Sequence, residues 1–136
     1  HPIASVPGEI IPSNEFYDYD AKYVDGASKA IIPAHLTSAV SRKVRAYAVS
    51  AFRVLDCAGM ARVDFLVDGR TSKITINEIN TIPGFTPISM YPKLWEATGI
   101  PYPDLLDKLI TLALERHAAK ARLKTFYNPK TNWYQQ

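Results

Sequence analysis

Apolar residues recur along this chain with two different periods. Val40, Val44, Tyr47, Ala51, Val54 and Leu55 return every three or four residues, the spacing of one helical face. Thr37 or Ser38 precedes them, so either hydroxyl can cap that helix, and Gly59 marks the end of the region. The period then drops to two. Ala61–Val67 and Lys73–Asn80 each alternate, and the intervening Asp68-Gly69-Arg70-Thr71-Ser72 has turn composition, so the two runs predict an antiparallel hairpin. Helical spacing returns from Asp104 to about Lys120, with Leu105, Leu106, Leu109, Leu112 and Ala113 on the side expected to be buried.

Shorter signals fill the gaps. Gly8 to Pro12 reads as a brief strand bounded by prolines, and Ile31 and Ile32 as another that stops at Pro33. Pro92 suits the first turn of a short helix over Lys93–Thr98, ended by Gly99. Asn14–Lys29 is rich in Tyr, Asp and Gly and has no amphipathic period; a loop of that length inside a domain is usually a functional lid or disordered. Thr81–Tyr91 is a second loop, marked by Pro and Gly. From Ala121 the chain turns basic and aromatic, with Arg122, Lys124, Phe126, Tyr127, Lys130, Trp133 and Tyr134, as expected of a flexible tail. The sum is an α/β (α+β) chain: helices packed on mainly antiparallel strands, one domain over residues 1–120 and a tail over 121–136.

Composition narrows the function. At 136 residues with 47% hydrophobic and 21% charged, the chain fits a single globular domain. A net charge of +3 suits an enzyme handling phosphates but does not point to nucleic acid. The single Cys57 leaves no internal disulfide and no multi-cysteine metal site, which fits a reducing compartment such as the cytoplasm. No apolar stretch approaches the roughly 18 residues that would span a membrane. Residue 1 is His, and His1–Val6 reads like a loop feeding a strand, so the chain is expected to begin inside a domain.

The hairpin carries the candidate chemistry. Strand parity puts Arg62, Asp64 and Leu66 on one face, and Glu78 and Asn80 on one face of the next strand. A turn centred near Thr71 sets Asp64 opposite Glu78 and Arg62 opposite Asn80. Like charges across a strand pair are destabilising, and a divalent cation between them reverses the sign. Asp, Glu and Asn offer only oxygen donors, as Mg²⁺ prefers; Mg²⁺ also keeps waters and draws on substrate phosphates. Arg62 beside them can stabilise a phosphoryl group in transfer. Spacing alone leaves open that the four are simply polar residues on a solvated hairpin face. In the following loop, Gly84 can expose its N–H to an oxyanion, or serve as a turn glycine. Ser89 lies just before a helix, where it either meets an anionic group or only caps the helix.

Arg62-Val63-Asp64, followed by Asn77-Glu78-Ile79-Asn80-Thr81-Ile82-Pro83-Gly84-Phe85-Thr86 and Ser89-Met90-Tyr91-Pro92, closely resembles the metal and substrate signature of D-alanine–D-alanine ligases, members of the ATP-grasp family. Phe16-Tyr17-Asp18-Tyr19-Asp20-Ala21-Lys22-Tyr23 resembles that family's mobile loop. The likeness runs from about His1 to His117. It implies an ATP-grasp C-terminal portion that ligates two D-alanines to D-alanyl-D-alanine through an acyl phosphate, for peptidoglycan precursors. It implies ATP and two Mg²⁺ (or Mn²⁺) as cofactors, D-alanine as substrate, and a cytoplasmic homodimer that binds neither nucleic acid nor membrane.

The resemblance also implies roles. Asp64 would bind one metal ion, Glu78 would bridge two and Asn80 would bind the other. Arg62 and the Gly84 N–H would steady the acyl phosphate and the tetrahedral intermediate. Ser89, with the Met90 backbone, would hold the carboxylate of the second D-alanine. Lys22 would reach the nucleotide phosphates, Tyr23 would seal the site and influence acceptor choice, and Phe16 and Leu66 would line the adenine pocket. The family's phosphate loop and its N-terminal domain are not found in these residues, so a missing N-terminal part of the same enzyme is the expected partner, and the 136 residues alone are expected to be inactive. A D-alanine–D-lactate ligase is the nearest alternative. The Lys22-Tyr23 pair argues against it, because resistance-type ligases usually carry a His-containing loop there. A non-catalytic interaction module is the alternative from another class, and the intact Asp64, Glu78 and Asn80 set argues against that.

Overall fold

A computed structural model describes residues 1–11, 29–86 and 88–124. The chain opens with an extended segment whose backbone is held from three sides. Arg45 Nη2 donates to the Ala4 carbonyl at 2.8 Å, Val6 N–H donates to Thr98 Oγ1 at 3.0 Å, and Ala34 N–H donates to the Pro7 carbonyl at 2.8 Å. Gly8 is there for space: a Cβ would come within 2.7 Å of both Leu94 Cδ2 and Met90 Cε. Strand β1 (Glu9–Ile11) follows and pairs antiparallel with β2 (Lys29–Ile31), Ile10 facing Ala30. The second strand thus ends one residue short of Ile32. The expected lid over Asn14–Lys29 lies, but for Lys29 itself, outside the described residues.

Helix α1 (Ser38–Val54) is capped by Thr37, whose Oγ1 accepts from Val40 N–H at 3.3 Å. Its end differs from expectation. Asp56, with φ 49°, makes the left-handed turn directly after the helix, three residues before Gly59. Asp tolerates this region better than most L-residues. The helix buries Val40 and Val44 and touches the hairpin of β3 (Arg62–Val67) and β4 (Ile74–Asn80), while Tyr47, Val54 and Leu55 at its far end stay exposed among the described residues.

The hairpin holds a correction. A single register centred near Thr71 accounts for Arg62↔Asn80, Val63↔Ile79 and Asp64↔Glu78, but nearer the turn the pairs are Phe65↔Ile76, Leu66↔Thr75 and Val67↔Ile74. Asn77 is left without a partner, the extra residue of a β-bulge. The reason is visible in the side chains. Strict alternation would put Ile74 and Ile76 on the face of Glu78. The bulge shifts the phase, so Ile74, Ile76 and Ile79 join Val63, Phe65 and Val67 on one apolar face. The charged residues are left on the other.

Helix α2 (Met90–Glu96) begins three residues before the expected Lys93, placing Pro92 inside its first turn, where a missing N–H costs nothing. Gly99, with φ 92°, ends that region as expected. Helix α3 (Tyr102–Ala121) opens on Pro101 and packs on α2 through the buried Leu105. Its wider apolar side is not covered: Leu106 and Leu112 are exposed, as is Ala113, while among the described residues α2 packs on it and Phe85 meets Tyr102 in its first turn. Helix α3 runs to Ala121, and residues 125–136 of the expected tail lie outside the described residues. No helix among the described residues is long and apolar enough to cross a membrane.

Candidate functional site

The polar face of the hairpin brings its charged groups into contact. Arg62 Nε donates to Asp64 Oδ1 at 2.8 Å and Arg62 Nη2 to Asp64 Oδ2 at 2.9 Å, a bidentate pair along one strand. The same Nη2 reaches across to Glu78 Oε1 at 3.3 Å. One guanidinium therefore neutralises both carboxylates whose direct opposition would otherwise be unfavourable. The hydrogen bonding of Arg62 to Asp64 holds the Arg62 pKa above its ordinary value against the lowering effect of burial, with the charges of Asp64 and Glu78 adding to the rise. Arg62 Nη1 makes no hydrogen bond to the described residues. All three side chains are partly open to solvent, Glu78 most.

Asn80 stands opposite Arg62 at the end of the ladder. Its Oδ1 accepts from Ile82 N–H at 2.9 Å, an Asx-type turn that bends the chain out of the strand. Among the described residues no third acidic, His or Cys side chain joins this group, so the donor set is two carboxylates and one amide oxygen. These hard oxygen donors fit Mg²⁺ or Mn²⁺ that completes its shell with water and phosphate. Leu66 shares the Asp64 face and is well exposed, as parity required.

The loop after Asn80 is anchored by aromatic packing. Phe85 meets Tyr102 at a centroid distance of 5.3 Å and Tyr91 at 5.8 Å, and Tyr91 meets Trp95 edge-on at 6.2 Å. The buried Pro83 adds a further fixed point. Within that frame Gly84, Thr86 and Ser89 converge. A Cβ on Gly84 would lie 3.0 Å from Ser89 Oγ. Ser89 Oγ accepts from Thr86 N–H at 3.1 Å and lies 2.9 Å from Thr86 Oγ1. Ser89 occupies the N-cap position of α2 yet makes no side-chain capping bond, so its hydroxyl is not committed to the helix. Met90 follows as the first residue of the helix.

Two clusters result, Arg62–Asp64–Glu78 with Asn80, and Gly84–Thr86–Ser89, joined by the Asn80–Ile82 turn. Thr86 escaped the residue-level reading. The signal was present, since Thr86 and Ser89 are hydroxyl residues three apart in a turn, a common pattern for local side-chain bonds. Phe16, Lys22 and Tyr23 lie outside the described residues.

A family described as D-ala D-ala ligase C-terminus matches residues 1–111. The D-alanine–D-alanine ligase of Acetivibrio thermocellus is 60% identical over 116 residues, covering 85% of this chain and 31% of that protein. The structure of the D-alanine–D-alanine ligase from Coxiella burnetii superposes with a TM-score of 0.76 at 45% identity, over 89% of this chain and 30% of that one. The Bacillus anthracis D-alanine–D-alanine ligase complexed with ATP superposes with a TM-score of 0.66 at 32% identity, over 83% and 36%. The chain thus spans about a third of the length of the relatives it matches. The α+β arrangement of antiparallel strands and packed helices is that of the ATP-grasp ligases. With the family match covering most of its length, this chain belongs to the D-alanine–D-alanine ligase C-terminus family.

Proposed function

We propose that these residues form the metal and acceptor half of a cytoplasmic, ATP-dependent D-alanine–D-alanine ligase. The observation that carries the reading is Asp64 directly opposite Glu78, with Arg62 bonded to both and Asn80 beside them. In this reading Asp64 would hold one Mg²⁺ (or Mn²⁺), Glu78 would serve both ions and Asn80 would hold the other. Bound there, the cations neutralise charge on the phosphoryl group in transfer.

The chain's own residues do the rest. Arg62 is fixed by its bidentate grip on Asp64, leaving Nη1 to meet the phosphoryl oxygens. The carboxylate of the first D-alanine attacks the γ-phosphorus of ATP and displaces ADP. The amino group of the second D-alanine then attacks the acyl carbon, phosphate departs, and the amine proton is lost. The Gly84 N–H stabilises the oxyanion between those events, and Ser89 with the Met90 N–H holds the carboxylate of the second D-alanine. Lys22 binds the nucleotide phosphates, Tyr23 closes the site, and Phe16 and Leu66 line the adenine. The first D-alanine is held by the N-terminal part of the enzyme, which acts as a homodimer.

The test is D-alanine-dependent phosphate release by the full-length protein. Release with formation of the dipeptide, lost on removing divalent metal, is expected, and no release from residues 1–136 alone. Full-length protein that shows no D-alanine-dependent release overturns the reading.

A further inference from the structure

Resting on the reading of Ser89 as the acceptor-carboxylate donor, we infer that Thr86 is the positioning residue that aims the Ser89 proton at the ligand. The argument is one of hydrogen-bond capacity. A serine hydroxyl has one proton and accepts through its lone pairs. The Thr86 N–H fills one acceptor direction of Ser89 Oγ, at 3.1 Å. The Thr86 and Ser89 hydroxyls are 2.9 Å apart, and one of them must donate to the other. If Ser89 donated, its proton would be spent on Thr86 and Ser89 would offer a carboxylate nothing but lone pairs. With Thr86 donating, both contacts end on Ser89 lone pairs, and the Ser89 O–H is left to point away.

Two further observations agree. Ser89 stands at the N-cap of α2 without capping it, so its oxygen is not committed to the helix. Gly84 leaves Ser89 Oγ uncrowded, since a Cβ at that position would lie 3.0 Å from it. An anionic ligand also decides the proton order, because a carboxylate draws the Ser89 O–H toward itself and leaves Thr86 as the only donor between the hydroxyls.

The experiment is a double-mutant cycle on the full-length ligase, with KM for the second D-alanine measured apart from kcat. Thr86→Val keeps the backbone N–H and the side-chain shape but removes the hydroxyl. It is expected to raise that KM about three- to tenfold, the weight of one hydrogen bond, with a smaller change in kcat. Thr86→Ser is expected to restore it. In a Ser89→Ala background, Thr86→Val is expected to add nothing. If Ser89→Ala itself leaves KM unchanged, the acceptor role of Ser89 fails, and the inference with it. A normal KM for Thr86→Val, a full additive loss in the Ser89→Ala background, or failure of Thr86→Ser to rescue overturns the role of Thr86 alone. Should Thr86→Val not fold, Thr86→Ala takes its place in the same cycle.

Discussion

The hairpin and the loop after it hold their functional groups by different physics. In the hairpin, Asp64 and Glu78 face each other because a backbone ladder sets the register and an apolar face pins it to α1. In the loop, Ser89 is held by one short turn, its N–H donating to the Thr86 carbonyl at 2.9 Å, and by individual contacts around it: Thr86 bonded to its hydroxyl, and Phe85 packed on Tyr91 and Tyr102. A ladder fixes several residues at once, and loss of one side chain leaves its geometry standing. A loop built from individual contacts has no such redundancy. Substitutions in the hairpin should therefore act through chemistry and those in the loop through position.

The largest expected effect is in the hairpin. On the proposed function, Glu78→Gln in the full-length protein is expected to lower dipeptide formation about a hundredfold or more, since it removes a charge from the proposed metal-binding set while keeping its shape. Stability should barely move. The change relieves the opposition of Glu78 to Asp64 but also loses the Arg62 contact at 3.3 Å. Both groups are partly exposed, so the two terms oppose within about 0.5 kcal/mol. Near-normal turnover, or a large fall in melting temperature, would contradict the division drawn above.

Next is Gly84→Ala in the loop. The backbone there tolerates a side chain, but the new Cβ meets Ser89 Oγ at 3.0 Å. A displacement of a few tenths of an ångström at the hydroxyl proposed to bind the acceptor carboxylate is expected to cost about tenfold in kcat/KM, mostly through KM for the second D-alanine. Steady-state kinetics with each D-alanine site resolved would check it. An unchanged KM would mean that the loop yields without consequence.

A milder contrast concerns the bulge. Asn77 has no partner across the ladder, so Asn77→Ala is expected to change stability by no more than about 0.5 kcal/mol. Ile79→Ala, on the apolar face toward α1, is half-buried and should cost on the order of 1–2 kcal/mol, less than a fully enclosed isoleucine. Urea unfolding of the two variants separates them. Equal losses would show that the bulge is itself a packing element.

How much of this was legible follows the same division. The face shared by Asp64 and Glu78 is a matter of parity, and parity is written in the sequence. The cap at Thr37 was legible because the hydroxyl precedes a clear helical period. The bulge was written too, as the step from Ile76 to Ile79 that breaks strict alternation, but a single turn centre hides it. The early start of α2 was not legible, because Pro92 is compatible with more than one first-turn position. Leu106 and Leu112 carry the helical period yet stay exposed, since periodicity marks a face that can be buried and says nothing of what covers it. Thr86 matters only through Ser89, and a hydrogen bond between two loop hydroxyls leaves no period to read.

The smallest effect concerns what closes the hairpin at its far end. Asp68 Oδ1 accepts from Thr71 N–H at 2.7 Å and from Arg70 N–H at 2.9 Å, a small side-chain turn beyond the ladder. These bonds favour the ionised form. The Thr71 backbone N–H, then the Thr71 hydroxyl, then the Arg70 N–H hold the Asp68 carboxyl below the usual carboxylate value. A group depressed in the folded state stabilises the fold above its unfolded pKa, and that contribution is lost as pH falls through the folded one. Asp68 should thus support the turn fully at neutral pH and loosen it only in acid, below the ordinary aspartate range near 3.9. Carboxyl ¹³C titration should find its midpoint below that value. Asp68→Asn keeps an acceptor oxygen but loses the charge and cannot titrate, so its melting temperature should lie slightly below the parent's above pH 5, and the difference should shrink in acid as the parent carboxyl is protonated. A midpoint at or above the ordinary value would mean that the turn does not hold in solution, leaving the apolar face and the Asp64–Glu78 end of the ladder to fix the register without it.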